Sequence, residues 1–202
     1  MNEKELYAEL GVLTKNKEHW KESIPFVASL LSGQSVKITG KALWMLGEMG
    51  LAYPDEVDPF VRERAAFREA EDAFLRERAM NALGRIGRAD YELVKPYWGK
   101  IFRLSGDESP NVRLSFIWAS ENIATNTPGV FEAWVPVFEA LLDDENVPVR
   151  MEALEMFRVL GKRRPACVRH CLEKLGFLAE HDPDRVVRVH AKGAIKAIST
   201  HD

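Results

Sequence analysis

Cys167, His170 and Cys171 stand within five residues of one another, and His181 and His190 follow. Thiolate and imidazole ligands of this kind hold zinc, but the spacing matches neither a zinc finger nor a zinc ribbon. Cysteines four apart on one helix are also poorly placed for a mutual disulfide, whose geometry is narrow. Val130 and Trp134 occupy the positions 37 residues earlier, so Cys167 and Cys171 are expected to pack in a core. Neither a metal nor another cofactor is expected. A second set of residues points to recognition. Trp44 and Trp118 lie among Arg78, Asn81, Arg85 and Asn122 when the chain is aligned on itself, and tryptophan beside arginine and asparagine is the composition of a binding hot spot. No glycine-rich phosphate loop, G-x-S-x-G elbow or H-E-x-x-H appears. Gly84-Arg-Ile-Gly87 reads as a helix end. The chain is therefore expected not to be an enzyme.

Composition bounds the rest. The 202 residues are 46% apolar and 29% charged, with net charge −3, as in an ordinary globular protein. That charge gives no general attraction to nucleic acid or to an anionic membrane. Residues 162–196 nevertheless carry nine Lys/Arg against four acids, a local +5, and read as a solvated basic helix face. No apolar stretch is long enough to span a membrane and no secretion signal is visible. With only two cysteines, a cytoplasmic location is expected.

The elements that must position these residues follow a ruler. Ile38, Leu75, Val112 and Val149 are each 37 residues apart, and Val187 follows at 38. Gly50, Gly87, Ala124 and Gly161 keep the same step, as do Pro54, Tyr91, Pro128 and Pro165. A fixed period between 20 and 50 residues is the sign of stacked supersecondary units. Each unit reads as two amphipathic helices. Ala153, Leu154, Phe157 and Leu160 form one apolar face, matched by Phe116, Ile117, Ser120 and Ile123, by Ala79, Met80, Leu83 and Ile86, and by Ala42, Leu43, Leu46 and Met49. The closing glycines suit C-caps with φ > 0, and Thr127-Pro128 suits a helix start with a side-chain cap. Five helix pairs are expected, at about 14–50, 51–87, 88–124, 125–161 and 162–199, after a leading helix at 2–13. Together they make one domain, 1–202. Trp20, Trp98 and Trp134 fall in apolar first-helix columns and are expected in the core.

Asp107, Asp144 and Asp182 each precede Arg113, Arg150 and Arg188 by six residues, in the turn before the second helix. Here the chain resembles the HEAT-repeat family, whose units have this length, an Asp in the inter-helix turn and a Val-Arg at the start of the second helix. The second repeat keeps Leu75-Arg76 but has Ala70 in place of the Asp, and the first has Ile38-Thr39. The resemblance implies an all-α fold, a right-handed alpha-alpha superhelix (armadillo-type solenoid), with the second helices lining a concave groove. The six Asp and Arg residues are expected to form a structural ladder, each Asp capping a helix and pairing with an Arg.

Along the implied groove one column reads Trp44, Asn81, Trp118, Glu155, Gly193. Its flanks read Lys41, Arg78, Ser115, Glu152, His190 and Glu48, Arg85, Asn122, Val159, Ala197. Trp44, Arg78, Asn81, Arg85, Trp118 and Asn122 are the candidate binding residues of a scaffold for a protein or peptide. Whether curvature buries the two tryptophans is left open. The alternative is a DNA-binding protein related to HEAT-like alkylpurine DNA glycosylases. Such an enzyme needs a carboxylate on that face, and Glu48, Glu121 and Glu152 are the nearest acids. An end-to-end homodimer is a further expectation, because terminal repeats expose apolar faces unless capped.

Overall fold

The computed structural model describes residues 2–33 and 35–200; Met1, Gln34, His201 and Asp202, which the 1–202 domain reading includes, lie outside the described residues. Among the described residues there are helices and connecting turns but no strand. The chain forms two compact units, one ending at Leu104 and the other starting at Ser105, inside the third repeat.

The first unit contains α1 (Glu3–Lys15), α2 (Trp20–Ser29), α3 (Val36–Ala52), α4 (Pro54–Val57), α5 (Val61–Ala66), α6 (Ala73–Ala89) and α7 (Tyr91–Ile101). Its leading helix starts with a capping box: Asn2 accepts from the Glu5 N–H, and Glu5 accepts from the Asn2 N–H. The second helices α3 and α6 pack on each other, α1 and α2 pack on α3, and α5 and α7 pack on α6. Ile38, Leu43, Leu46, Met49, Met80, Leu83 and Ile86 are wholly buried between them.

The second unit contains α8 (Pro110–Ala124), α9 (Val135–Leu141), α10 (Val147–Arg163), α11 (Leu172–His181) and α12 (Arg185–Ser199). Here α8, α10 and α12 are the second helices: α10 packs on both α8 and α12, α9 packs on α10, and α11 on α12. Phe116, which replaces the alanine of the other repeats, is wholly buried and stacks on Phe138, with centroids 5.6 Å apart and planes 7° from parallel. Ser120, the polar break in the apolar pattern, is wholly buried and donates to the Phe116 carbonyl at 2.8 Å. Its hydroxyl is thus satisfied inside its own helix.

Several local expectations are corrected. Gly50, Gly87 and Gly161 do not cap helices: α3, α6 and α10 run two residues past them, and among the described residues only Gly33 has positive φ, 119°. Gly50 and Gly161 instead mark close approaches. A Cβ on Gly50 would lie 2.5 Å from Ile86 Cγ1, and one on Gly161 would lie 2.7 Å from Ile198 Cγ1. The period in glycine reflects contact between successive second helices. Thr127 gives no side-chain cap; its hydroxyl donates back to the Ile123 carbonyl at 3.0 Å. The segment after it, Pro128–Trp134, is a 3-10 helix, and α9 begins only at Val135. Pro136 lacks the N–H that would continue an α-helical ladder through this point. Pro59 breaks the first helix of repeat two in the same way, into α4, a 3-10 turn and α5. Leu75 is partly exposed, unlike Ile38, Val112, Val149 and Val187, which are wholly buried. Trp20 and Trp98 are buried but Trp134 is only partly so.

Candidate functional site

In the first unit, Ser35 accepts from the Ile38 N–H and starts α3. From there Lys37, Lys41 and Trp44 succeed one another at helical spacing on one face. Phe74 and Arg78 do the same on α6, and Tyr7 comes from α1. These six side chains, with Gly40, line a cleft of about 260 Å³. Each cation lies over a ring. Lys37 Nζ is 4.3 Å from the Tyr7 centroid, Lys41 Nζ is 4.2 Å from Trp44, and Arg78 Cζ is 4.8 Å from Phe74, all within cation–π range. Gly40 makes the arrangement possible, because a Cβ there would overlap the Phe74 ring. Burial lowers the Lys41 pKa, and the nearby Arg78 charge lowers it further. Trp44 is half-buried, and Tyr7 and Phe74 are exposed at 38% and 37%. The rings therefore remain reachable from solvent.

The other first-unit candidates are placed differently. Arg78 Nε is 3.8 Å from Glu77, so its charge is only loosely countered. Arg85 Nε lies 2.9 Å from a Glu48 carboxylate oxygen, an ion pair between α6 and α3. Asn81 is half-buried.

In the second unit Trp118 is half-buried, while Asn122 is 7% exposed and donates to the Trp118 carbonyl at 2.9 Å. Asn122 is turned into its own helix rather than toward a partner. The charged groups nearby are acidic. Glu121 of α8 has an Oε1 cut off from solvent with no hydrogen-bond partner. Burial, then Glu152 and Glu155, push its pKa well above the ordinary range, against the charge of Arg158. Burial and Glu155 raise Glu152 as well. Glu155 is held by His190 Nδ1 at 2.7 Å and by Arg158 at 3.2 Å. Sequence reasoning named Glu121 and Glu152 only as the nearest acids and missed their grouping with Glu155. The signal was present in the outward columns, where Glu152, Glu155 and His190 fall together.

The Asp and Arg residues share one geometry. Arg113 donates through Nε and Nη2 to both oxygens of Asp144, at 2.7 and 2.8 Å, and Arg150 does the same to Asp182 at 3.0 and 3.2 Å. Nη1 of each Arg turns back to its own turn: Arg113 to the Asp107 and Glu108 carbonyls, Arg150 to Asp144 and Glu145, Arg188 to Asp182 and Pro183. Arg76 makes the equivalent pair, to Ala70 and Glu71, although its turn has no Asp. The Asp side chains do not cap the second helices. Asp107, Asp144 and Asp182 accept from the N–H two residues on, closing the turn, while Asn146 and Asp184 supply the caps of α10 and α12. Burial works against the Asp144 charge, but the Arg113 hydrogen bonds, the Asn146 N–H and the Arg150 charge together lower its pKa. A depression of about 710 Å³ borders this region, lined by Asp107, Arg113 and Asp144 among others. Arg113 and Asp144 are already spent on each other there.

Cys167 is half-buried and Cys171 buried, both as free thiols. Glu139, His170 and Cys171 bring ligand atoms within 4.8 Å of one another; Glu139 comes from the preceding repeat and was missed in the sequence. Burial, Glu139 and Cys167 push the Cys171 thiol up to about 11. His181 stacks on Phe177 and His190 binds Glu155, so neither joins this group.

No protein-family model and no curated protein matches the chain. Solved structures do. A designed armadillo repeat protein in complex with the peptide (KR)4 aligns at 19% identity over 98% of this chain and 95% of its own, with TM-score 0.74. Computationally designed armadillo repeat proteins for modular peptide recognition align at 17% over 97% and 94%, with TM-score 0.67. An engineered protein aligns at 18% over 89% and 80%, with TM-score 0.70. The chain has the armadillo/HEAT-like helical-repeat fold.

Proposed function

We propose that this protein is a non-enzymatic scaffold that binds a protein or peptide through the outward faces of its second helices. The observation that carries the reading is the cleft around Trp44, where solvent-reachable aromatic rings and cations converge on two second helices. Rigid aromatic anchors flanked by charge are the usual centre of a recognition surface. The similar designed proteins, whose descriptions name peptide recognition and a (KR)4 complex, support a peptide partner. Trp118 is proposed as a second contact, in its own unit.

A peptide array probed with the wild-type protein, Trp44→Ala and Trp118→Ala tests the reading. Loss of most bound peptides in Trp44→Ala, with an unchanged melting curve, is the expected result. Undiminished binding in both variants removes these faces from recognition. In the nucleic-acid alternative, affinity for DNA must fall steeply with salt, and the acids Glu121, Glu152 and Glu155 oppose phosphate in the second unit. The proposed homodimer has one supporting observation: Phe177 of α11 and Val186 and Val189 of α12 are 63%, 46% and 58% exposed. Light scattering that finds only monomer at high concentration eliminates it.

A further inference from the structure

The cleft of the first unit has a chemistry more specific than peptide binding. Its three charged lining residues, Lys37, Lys41 and Arg78, are all cationic, and no acidic side chain lines it among the described residues. Like charges gathered in a partly desolvated space repel one another. Burial is the larger cause of the lowered proton affinity of Lys41, and the Arg78 charge adds to it. Glu77 stands outside the lining at 3.8 Å from Arg78 Nε. Each ring face holds its cation in place without neutralising it.

We propose that this cleft receives an anionic side chain of a peptide, a carboxylate or a phosphate. Lys41 and Arg78 supply charge-assisted hydrogen bonds, Lys37 supplies a third charge at the rim, and Trp44 and Tyr7 offer apolar contact to the flanking residue. The inference rests on the scaffold reading and adds the sign of the ligand's charge. It also separates this protein from the designed neighbour in complex with (KR)4, because a basic peptide meets like charge here. The repeat columns reinforce the distinction. The places of Lys41 and Arg78 are taken by Glu152 and His190 in the last two repeats, so this column does not repeat the cationic cleft in the second unit.

Calorimetric titration of the full chain with three blocked peptides of equal length tests the proposal: one glutamate-rich, one with phosphoserine in place of the glutamates, and one of alternating Lys and Arg. Lys41→Met and Arg78→Met keep the aliphatic stems and remove the charges, and thermal melts establish that both fold. The glutamate or phosphoserine peptide is expected to bind the wild type, to lose at least tenfold in affinity in either variant, and to weaken with added salt. Which of the two binds tighter tells carboxylate from phosphate. Retained affinity in Lys41→Met and Arg78→Met, or preference for the basic peptide, overturns the proposal. If only the basic peptide binds and Trp44→Ala abolishes that binding, the scaffold reading survives and the anion site does not. If no peptide of any charge binds at millimolar concentration, both fall.

Discussion

Glu121 illustrates what a single residue can hide in a repetitive chain. It lies in α8 between Ser120 and Asn122, where the apolar face and the outward columns meet, and the sequence treats it as one more helix acid. In the fold its Oε1 is shut away from water and has no partner, with Glu152 and Glu155 close enough to raise its pKa further. A carboxyl whose folded pKa lies above its unfolded value of 4.5 binds more protons in the native state. Stability is therefore fully present below 4.5 and is lost as pH rises through the raised value. Glu121→Gln should be more stable than the wild type at neutral pH, and the difference should vanish below pH 4.5, as read from chemical denaturation across pH. A pH-independent difference would contradict the account. Arg64 is a parallel case. It is wholly buried in α5 and donates to the Val57 carbonyl at 3.1 Å; burial pushes its pKa down to about 10. Its flanking residues Arg62 and Glu63 give no hint of burial, because first-helix periodicity is interrupted where the chain turns through 3-10 geometry.

At the scale of elements, the apolar columns of the second helices were legible because a helix with a 3.6-residue repeat must face its neighbour with a regular stripe. The glycine register was also visible but its meaning was not. A glycine at a helix end and a glycine at a helix crossing look alike in sequence, since both positions tolerate only a hydrogen in place of a side chain. Gly50→Ala tests how tight the crossing is. Alanine favours helix by about 1 kcal/mol over glycine, but here its methyl would meet Ile86 Cγ1 at 2.5 Å and Val57 Cγ2 at 3.0 Å. Overpacking of this kind costs about 1–3 kcal/mol. A net loss of stability is expected on chemical denaturation, and a gain would show that the crossing has room for a methyl group. The first helices were less legible than the second. Pro128 reads as a start and does open the 3-10 segment Pro128–Trp134, whereas Pro59 and Pro136 fall further along the first helices and interrupt them, because the missing N–H acts wherever the residue falls.

At the scale of the whole molecule, the period records how one repeat fastens to the next. In the second unit Arg113 reaches from its own turn to Asp144, and Arg150 to Asp182. The pairs are well shielded, with side chains 10%, 8%, 12% and 3% exposed. Removing one partner of such a pair leaves a buried charge uncompensated, at a cost of about 3 kcal/mol. Arg150→Ala should lower stability by that order in chemical denaturation, and unchanged stability would remove the ladder from the account. The pH dependence runs opposite to that of Glu121. Asp144 has a lowered pKa, so its contribution is present above its ordinary value of 3.8 and is lost as pH falls through the lowered value.

The sequence by itself determined the repeat, its length, the helix pairing and the identity of the Asp and Arg positions, because stacking identical units imposes the same packing and turn geometry every 37 residues. Only the tertiary structure decided which outward residues meet. Tyr7, Lys37 and Phe74 joined Lys41, Trp44 and Arg78 in one cleft, although Tyr7 precedes the first repeat and the other two stand outside the columns that carried the candidates. Asn122 was withdrawn into its helix, and Arg85 was tied to Glu48. A recognition site is made by side chains from several helices, and neither the angle of those helices nor the rotamers on them is written in a period.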